Sequence, residues 1–137
     1  MCGIAGLFLK DKSLEPELGA MLSDMLVTLT DRGPDSAGIA VYGSAGAGAA
    51  KITLQSREPA RDFAEIAHAL GRVGIAGDVL VKDTHAVVTV PLESVDNARQ
   101  ALGAISPDIR VMGSGEAIEI YKETGLPKDV VSRFSIR

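Results

Sequence analysis

Cys2 has the clearest capacity for chemistry in this chain, because it is the single cysteine and directly follows the initiator methionine. Cysteine is small enough for removal of Met1 to be expected, which would leave Cys2 with a free α-amino group. The thiolate is the attacking form of cysteine, and an α-amino group, with a pKa of about 8, can accept the thiol proton. A nucleophile paired with an amine base suits acyl transfer. A small buried apolar residue is the alternative that position 2 alone leaves open.

A second segment dense in charge, glycine and proline covers residues 31–40, which read DRGPDSAGIA. It lies between an expected helix and an expected apolar strand. Taken alone, it is interpreted as a polar turn in which Gly33 closes the helix.

The two segments together resemble the class II glutamine amidotransferases, the N-terminal-nucleophile glutaminase domains. The opening MCGI and the RGPDSAG at 32–38 occur in the family's order and at a suitable spacing. The resemblance is sharp over residues 1–43 and looser to about 73. Within the family, the second segment is most similar to the stand-alone amidotransferase-like subunit of N-methylglutamate synthase and of related glutamate-synthase-like assemblies.

The resemblance implies two catalytic residues. Cys2 would attack the side-chain amide of L-glutamine and form a thioester, with its own α-amino group as base and then as acid. Arg32 would lie near the thiol and favour the thiolate, because an opposite charge stabilises the charged form. Asp35 would hold Arg32 by an ion pair, or would cap the following turn.

Three glycines are implied as supporting residues. Gly3 would keep the nucleophile uncrowded, Gly33 would close the helix, and Gly38 would allow tight packing behind the site. One cysteine and two histidines far apart in sequence predict no metal site. No cofactor is expected, and the residues that bind glutamine stay unassigned.

The elements that must position these residues follow from hydrophobic periodicity. Residues 4–9 are expected to form a buried strand, and an apolar stripe from Leu18 to Leu29 predicts a helix that ends near Asp31. Ser36–Tyr42 and residues 51–55 are expected to pair as a hairpin, and a further helix is expected over residues 60–72.

The resemblance implies an α+β fold, the αββα sandwich of N-terminal-nucleophile hydrolases. Residues 1–77 would supply core strands and helices, and residues 78–125 would be an inserted β-α-β unit. The family's Asn-Gly oxyanion segment and Gly-His-Thr-Arg segment are absent, since the one asparagine is Asn97, followed by Ala98. We therefore expect residues 1–137 to form only the N-terminal part of a glutamine amidotransferase domain.

The composition limits the partners and the cellular compartment that can be expected. The net charge of −4 argues against a nucleic-acid partner, and no apolar run approaches the roughly 20 residues that a membrane span needs. A single cysteine fits a reducing compartment, so a cytoplasmic location is expected.

The expected partners are L-glutamine and a synthase subunit that accepts the ammonia, within an oligomeric or heteromeric assembly. One alternative is a fragment of a phosphoribosylpyrophosphate or glucosamine-6-phosphate amidotransferase. Another is a non-catalytic regulatory or assembly module in which Cys2 is a relic. Weaker signals are a phosphate-binding turn at residues 113–115 and two histidines, His68 and His85, both interpreted as structural.

Overall fold

The computed structural model describes residues 2–136, which divide into two compact units. One unit comprises the described residues up to Ile39 together with those from Lys122 onward, and the other comprises Ala40–Tyr121. The expected removal of Met1 concerns a residue outside the described range.

The first unit is built on two helices, α1 (Leu18–Thr28) and α5 (Pro127–Arg133). A 3-10 helix over Lys12–Glu17 leads into α1, and the side chain of Asp11 caps it by accepting a hydrogen bond from the Ser13 N–H at 2.9 Å. A second 3-10 turn over Thr30–Arg32 ends the helical segment. The predicted helix and its end near Asp31 are therefore confirmed.

Residues 2–9 have no regular secondary structure. The expected buried strand at 4–9 is wrong, because Ile4 is 96% and Phe8 88% exposed. An apolar run becomes a buried strand only where another strand pairs with it, and no described strand does so here.

Strand β1 (Ser36–Tyr42) has the predicted bounds and alternates, with Ala37 and Ile39 buried. Its partner is β6 (Ile118–Thr124), with which it forms a two-stranded sheet. The expected hairpin between β1 and β2 (Ala49–Gln55) is wrong, since β2 belongs to a different sheet.

The second unit contains a four-stranded antiparallel sheet in the order β3 (Asp78–Lys82), β4 (His85–Pro91), β2 and β5 (Arg110–Gly115). After β2, its elements in chain order are α2 (Pro59–Asp62), α3 (Ile66–Arg72), β3 (Asp78–Lys82), β4 (His85–Pro91), α4 (Val95–Gly103) and β5 (Arg110–Gly115). A 3-10 turn joins α2 to α3. Strands and helices thus follow the β-α-β-β-α-β sequence of ferredoxin-like units.

The core of this unit consists of alternate residues of β2 and β4 packed against α3 and α4. Ile52 of β2 and Val88 of β4 are opposite each other in the register, and both are fully buried with Leu102 of α4. Gly77 permits this packing, because an added Cβ would lie 2.9 Å from the carbonyl oxygen of Thr89.

The predicted αββα sandwich is wrong for the described residues. Their strands form one four-stranded antiparallel sheet, with its own helices, and one two-stranded sheet, as in a small α+β domain. The separate β-α-β unit at 78–125 is also wrong, because β2 lies between β4 and β5 and pairs with both. The assignment of 1–137 to one partial amidotransferase domain stays a prediction.

The weaker signals have structural explanations. Gly113 lies in β5, where an added Cβ would be 2.7 Å from Cδ1 of Ile120, so the glycine makes room for that side chain. His68 is exposed on α3. His85 is fully buried, 5.6 Å from the Tyr121 ring between centroids.

Asp62 is a buried carboxylate at the end of α2. It accepts hydrogen bonds from the Arg61 Nε–H at 2.8 Å and the Ser56 hydroxyl at 2.6 Å. The hydrogen bond from Arg61 holds the pKa of Asp62 below its usual value, with Ser56 adding to it, although burial acts in the opposite direction.

We predict that Asp62→Asn lowers the free energy of unfolding by roughly 1–3 kcal/mol at pH 7, because charge-assisted hydrogen bonds are lost in a buried site. The folded-state pKa of Asp62 is depressed, so its stabilising effect should be complete above about pH 4 and decline as the pH falls further. Urea unfolding at pH 7 and pH 3 measures both effects. An equal loss of stability at both pH values would contradict the assignment.

Candidate functional site

The chain segment that carries Cys2 lies against the end of α1. A Cβ atom added to Gly3 would be 3.2 Å from the Arg32 Cβ and 3.2 Å from the Leu29 Cδ2. A side chain at residue 3 would therefore require Arg32 or Leu29 to shift by a few tenths of an ångström.

The 3-10 turn after α1 determines where Arg32 is placed. The Arg32 N–H donates to the Leu29 carbonyl at 2.9 Å, and the Gly33 N–H donates to the Thr30 carbonyl at 3.1 Å. These short-range hydrogen bonds tighten the chain after the last turn of the helix. Arg32 is thereby held beside Gly3 within one unit of the structure.

A pocket of about 290 Å³ joins the two segments that the sequence singles out. All six residues named from the sequence as catalytic or supporting line this pocket: Cys2, Gly3, Arg32, Gly33, Asp35 and Gly38. The remaining lining residues are Leu26, Leu29, Pro34, Ser36, Ala37 and Pro127. The two segments are thus brought together in space, whereas the role of each residue stays a prediction.

The charged side chains of the pocket do not pair with each other. Arg32 and Asp35 are both exposed, and no ion pair joins them within residues 2–136. Asp35 is instead anchored through its main chain, since its carbonyl oxygen accepts a hydrogen bond from the Gly125 N–H at 2.9 Å. The guanidinium of Arg32 is therefore not committed to Asp35.

The three supporting glycines differ in what their positions demand. At Gly3 an added Cβ would lie within 3.3 Å of both Arg32 and Leu29. At Gly33 the backbone has φ −161°, and an added Cβ would come no closer than 3.9 Å to the Ser36 carbonyl oxygen. Gly38 is exposed in β1 and faces the pocket as one of its lining residues. The absence of a side chain is thus required more strictly at Gly3 than at Gly33.

Sequence reasoning missed the apolar wall of the pocket. Leu26 and Leu29 belong to the predicted stripe of α1, but the stripe did not indicate that they border a site. Pro127 opens α5, about ninety residues along the chain from Arg32, and no local signal connects the two. A pocket lined by an exposed cysteine, an arginine and apolar side chains suits a small polar molecule with a short aliphatic stem.

Among residues 2–136, no three histidine, cysteine, aspartate or glutamate side chains are grouped so that they could bind a metal ion. None of the helices in that range combines the length and apolarity that crossing a membrane requires. Asn97, the single asparagine, is exposed on α4, in the other unit.

We predict that Gly3→Val slows alkylation of Cys2 several-fold, because the added Cβ would lie 3.2 Å from Leu29 and Arg32 and the two methyl groups beyond it would push the segment away from them. Since the chain has a single cysteine, the rate of mass gain with iodoacetamide reports on this thiol alone. Gly6→Val is the matched control, because an added Cβ there meets nothing within 4 Å. Equal rates for the two variants would show that the contact at Gly3 does not position Cys2.

Comparison with known proteins relates the chain to glutamine amidotransferases. It is 58% identical over all of its 137 residues to the glutamine amidotransferase-like protein GlxB of Rhizobium meliloti. It is 27% identical over 146 aligned positions, covering 98% of the chain, to a putative glutamine amidotransferase of Methanothermobacter thermautotrophicus. These similarities support a relationship to glutamine amidotransferase-like proteins. No protein-family model matches the chain.

The chain spans about half the length of these curated relatives, 46% of the first and 47% of the second. Among solved structures, the ligand-free regulatory subunit of aspartate kinase from Thermus thermophilus aligns with 74% of this chain and 92% of its own. The TM-score is 0.40 and the identity 14%.

Proposed function

We propose that this chain carries the nucleophile of a class II glutamine amidotransferase, which hydrolyses L-glutamine to glutamate and ammonia. The observation that carries the proposal is that Cys2 and Arg32 line one pocket, although thirty residues separate them in sequence. The 58% identity to a glutamine amidotransferase-like protein supports it. Both residues act within this pocket, so the proposed chemistry does not require a sandwich fold.

The proposed reaction begins after removal of Met1. The α-amino group of Cys2 accepts the thiol proton, and the sulfur attacks the side-chain amide carbon of glutamine. The carbon–nitrogen bond then breaks, and the proton returns from the amine to the departing ammonia. Water attacks the resulting thioester, which releases glutamate and restores the thiol.

In this proposal, Arg32 is an electrostatic partner of the developing thiolate. Its side chain is exposed, has no ion-pair partner within residues 2–136, and starts from a Cβ that closely approaches the residue after Cys2. A cation that approaches the sulfur during the reaction stabilises the negative charge that develops there. The apolar wall formed by Leu26, Leu29 and Pro127 would receive the methylene groups of the substrate.

The ammonia is proposed to pass to a separate synthase subunit in an oligomeric or heteromeric assembly. The described residues divide into the unit with the pocket and a ferredoxin-like unit with its own core. Because the chain lacks the Asn-Gly and Gly-His-Thr-Arg segments of the family, oxyanion and glutamine-binding groups would have to come from other residues.

We predict that an alkylating glutamine analogue modifies Cys2 and that excess L-glutamine slows the reaction, because both would occupy the same pocket. Intact mass spectrometry checks this on protein lacking Met1, with one adduct per chain expected and none in Cys2→Ala. Iodoacetamide serves as the control reagent, since glutamine should not protect against an alkylator that does not resemble it.

Labelling by iodoacetamide but not by the glutamine analogue would favour the non-catalytic module instead. The same measurement tests processing, because a retained Met1 would remove the proposed base from Cys2.

We predict that Arg32→Ala lowers kcat/KM for glutamine hydrolysis about tenfold, the effect of roughly one charge interaction on the reacting sulfur. Arg32→Lys should retain most of the activity, because it preserves the charge. The loss should appear mainly in kcat if Arg32 acts on the sulfur. A loss confined to KM would show that Arg32 binds substrate and would contradict its action on the thiolate.

A further inference from the structure

Strand β3 forms one edge of the four-stranded sheet and is exposed along almost its whole length. Its central residues Val79, Leu80 and Val81 are 39%, 55% and 53% exposed. An exposed apolar edge strand is a template for pairing with another strand, and proteins normally shorten, charge or cover such an edge. This edge keeps three apolar residues in succession, between Asp78 and Lys82.

Strands β3 and β4 form a hairpin, and its register shows which main-chain groups of β3 point away from the sheet. A two-residue turn joins Lys82 to His85, so this pair is the hydrogen-bonded pair nearest the turn. Hydrogen-bonded and non-hydrogen-bonded pairs alternate along an antiparallel ladder. Leu80 therefore bonds to β4, and the main-chain groups of Val79 and Val81 point outward.

The order of side chains makes this edge complementary to itself. If a second copy pairs antiparallel to β3 with Leu80 opposite Leu80, Asp78 lies opposite Lys82 of the second copy. The two-fold axis of such a dimer passes between the two Leu80 residues, so Lys82 of the first copy also lies opposite Asp78 of the second. The outward groups of Val79 then meet those of Val81 of the second copy, so the two strands can exchange hydrogen bonds.

The two charged residues fit this register. Asp78 and Lys82 would be opposite each other at non-hydrogen-bonded positions, where side chains approach most closely. Asp78 is exposed and has no ion-pair partner within the described residues. The Nζ of Lys82 lies 5.2 Å from the centre of the Tyr121 ring, which already restrains its side chain.

We propose that β3 is a homodimer interface, in which two copies of this chain pair their edge strands about Leu80 and join two four-stranded sheets into one. Charge complementarity selects a second copy as the occupant, because the sequence DVLVK matches itself in the antiparallel direction. A two-fold axis produces two Asp78–Lys82 pairs from one strand sequence.

Sedimentation equilibrium of the 137-residue chain tests the interface. We expect reversible dimerisation, weak because a five-residue strand buries less area than a standard interface. Asp78→Lys and Lys82→Asp should each raise the dissociation constant at least about tenfold, because each variant places like charges opposite one another at both pairs. Asp24→Lys, on α1, makes the same change of charge elsewhere and should leave the dissociation constant unchanged.

Mixing the two single variants is the decisive experiment. A heterodimer of Asp78→Lys with Lys82→Asp contains two opposite-charge pairs, so the mixture should dimerise with nearly the affinity of the parent chain. Circular dichroism establishes that each variant is folded. A parent chain that stays monomeric at about 0.5 mM, or a mixture no tighter than its components, would overturn the proposal.

Discussion

The candidate site depends on one steric constraint, the close approach of the main chain at Gly3 to the end of α1. A Cβ at that position would crowd both Leu29 and Arg32. Without this approach, the exposed segment of residues 2–9, which has no regular secondary structure, has no other described feature that directs Cys2 toward Arg32. The helix supplies the fixed surface, and the glycine allows the segment that carries Cys2 to reach it.

The fixed surface has its own support. Pocket residues come from α1, from the loop after it, from β1 and from the first residue of α5. The hydrogen bond between the Asp35 carbonyl and the Gly125 N–H joins the loop to the chain after β6. Elements far apart in sequence thus hold a loop that contains Gly33 and Pro34 and that on its own would sample many conformations.

Local elements were predictable from the sequence, whereas strand partners were not. An apolar run predicted β1, and three- and four-residue spacing predicted α1, because both patterns lie within one element. The partner of β1 is β6, some eighty residues later, and nothing within Ser36–Tyr42 specifies it. The prediction of a buried strand at residues 4–9 failed for a related reason. Apolar character predicts burial, but it does not show whether another strand will pair with the segment. The site was found through two motifs, and Pro127 was missed because it belongs to neither.

The separation into units bears on how substitutions at the site should be interpreted. The buried cluster of the ferredoxin-like unit lies between Ile52 and Ile109 and includes no pocket residue. Each fully buried side chain there, such as Leu102, contributes on the order of 1.5–3 kcal/mol through burial. Cys2 and Arg32 are exposed and contribute nothing to that cluster. Replacing either residue therefore removes no side chain from the core of that sheet.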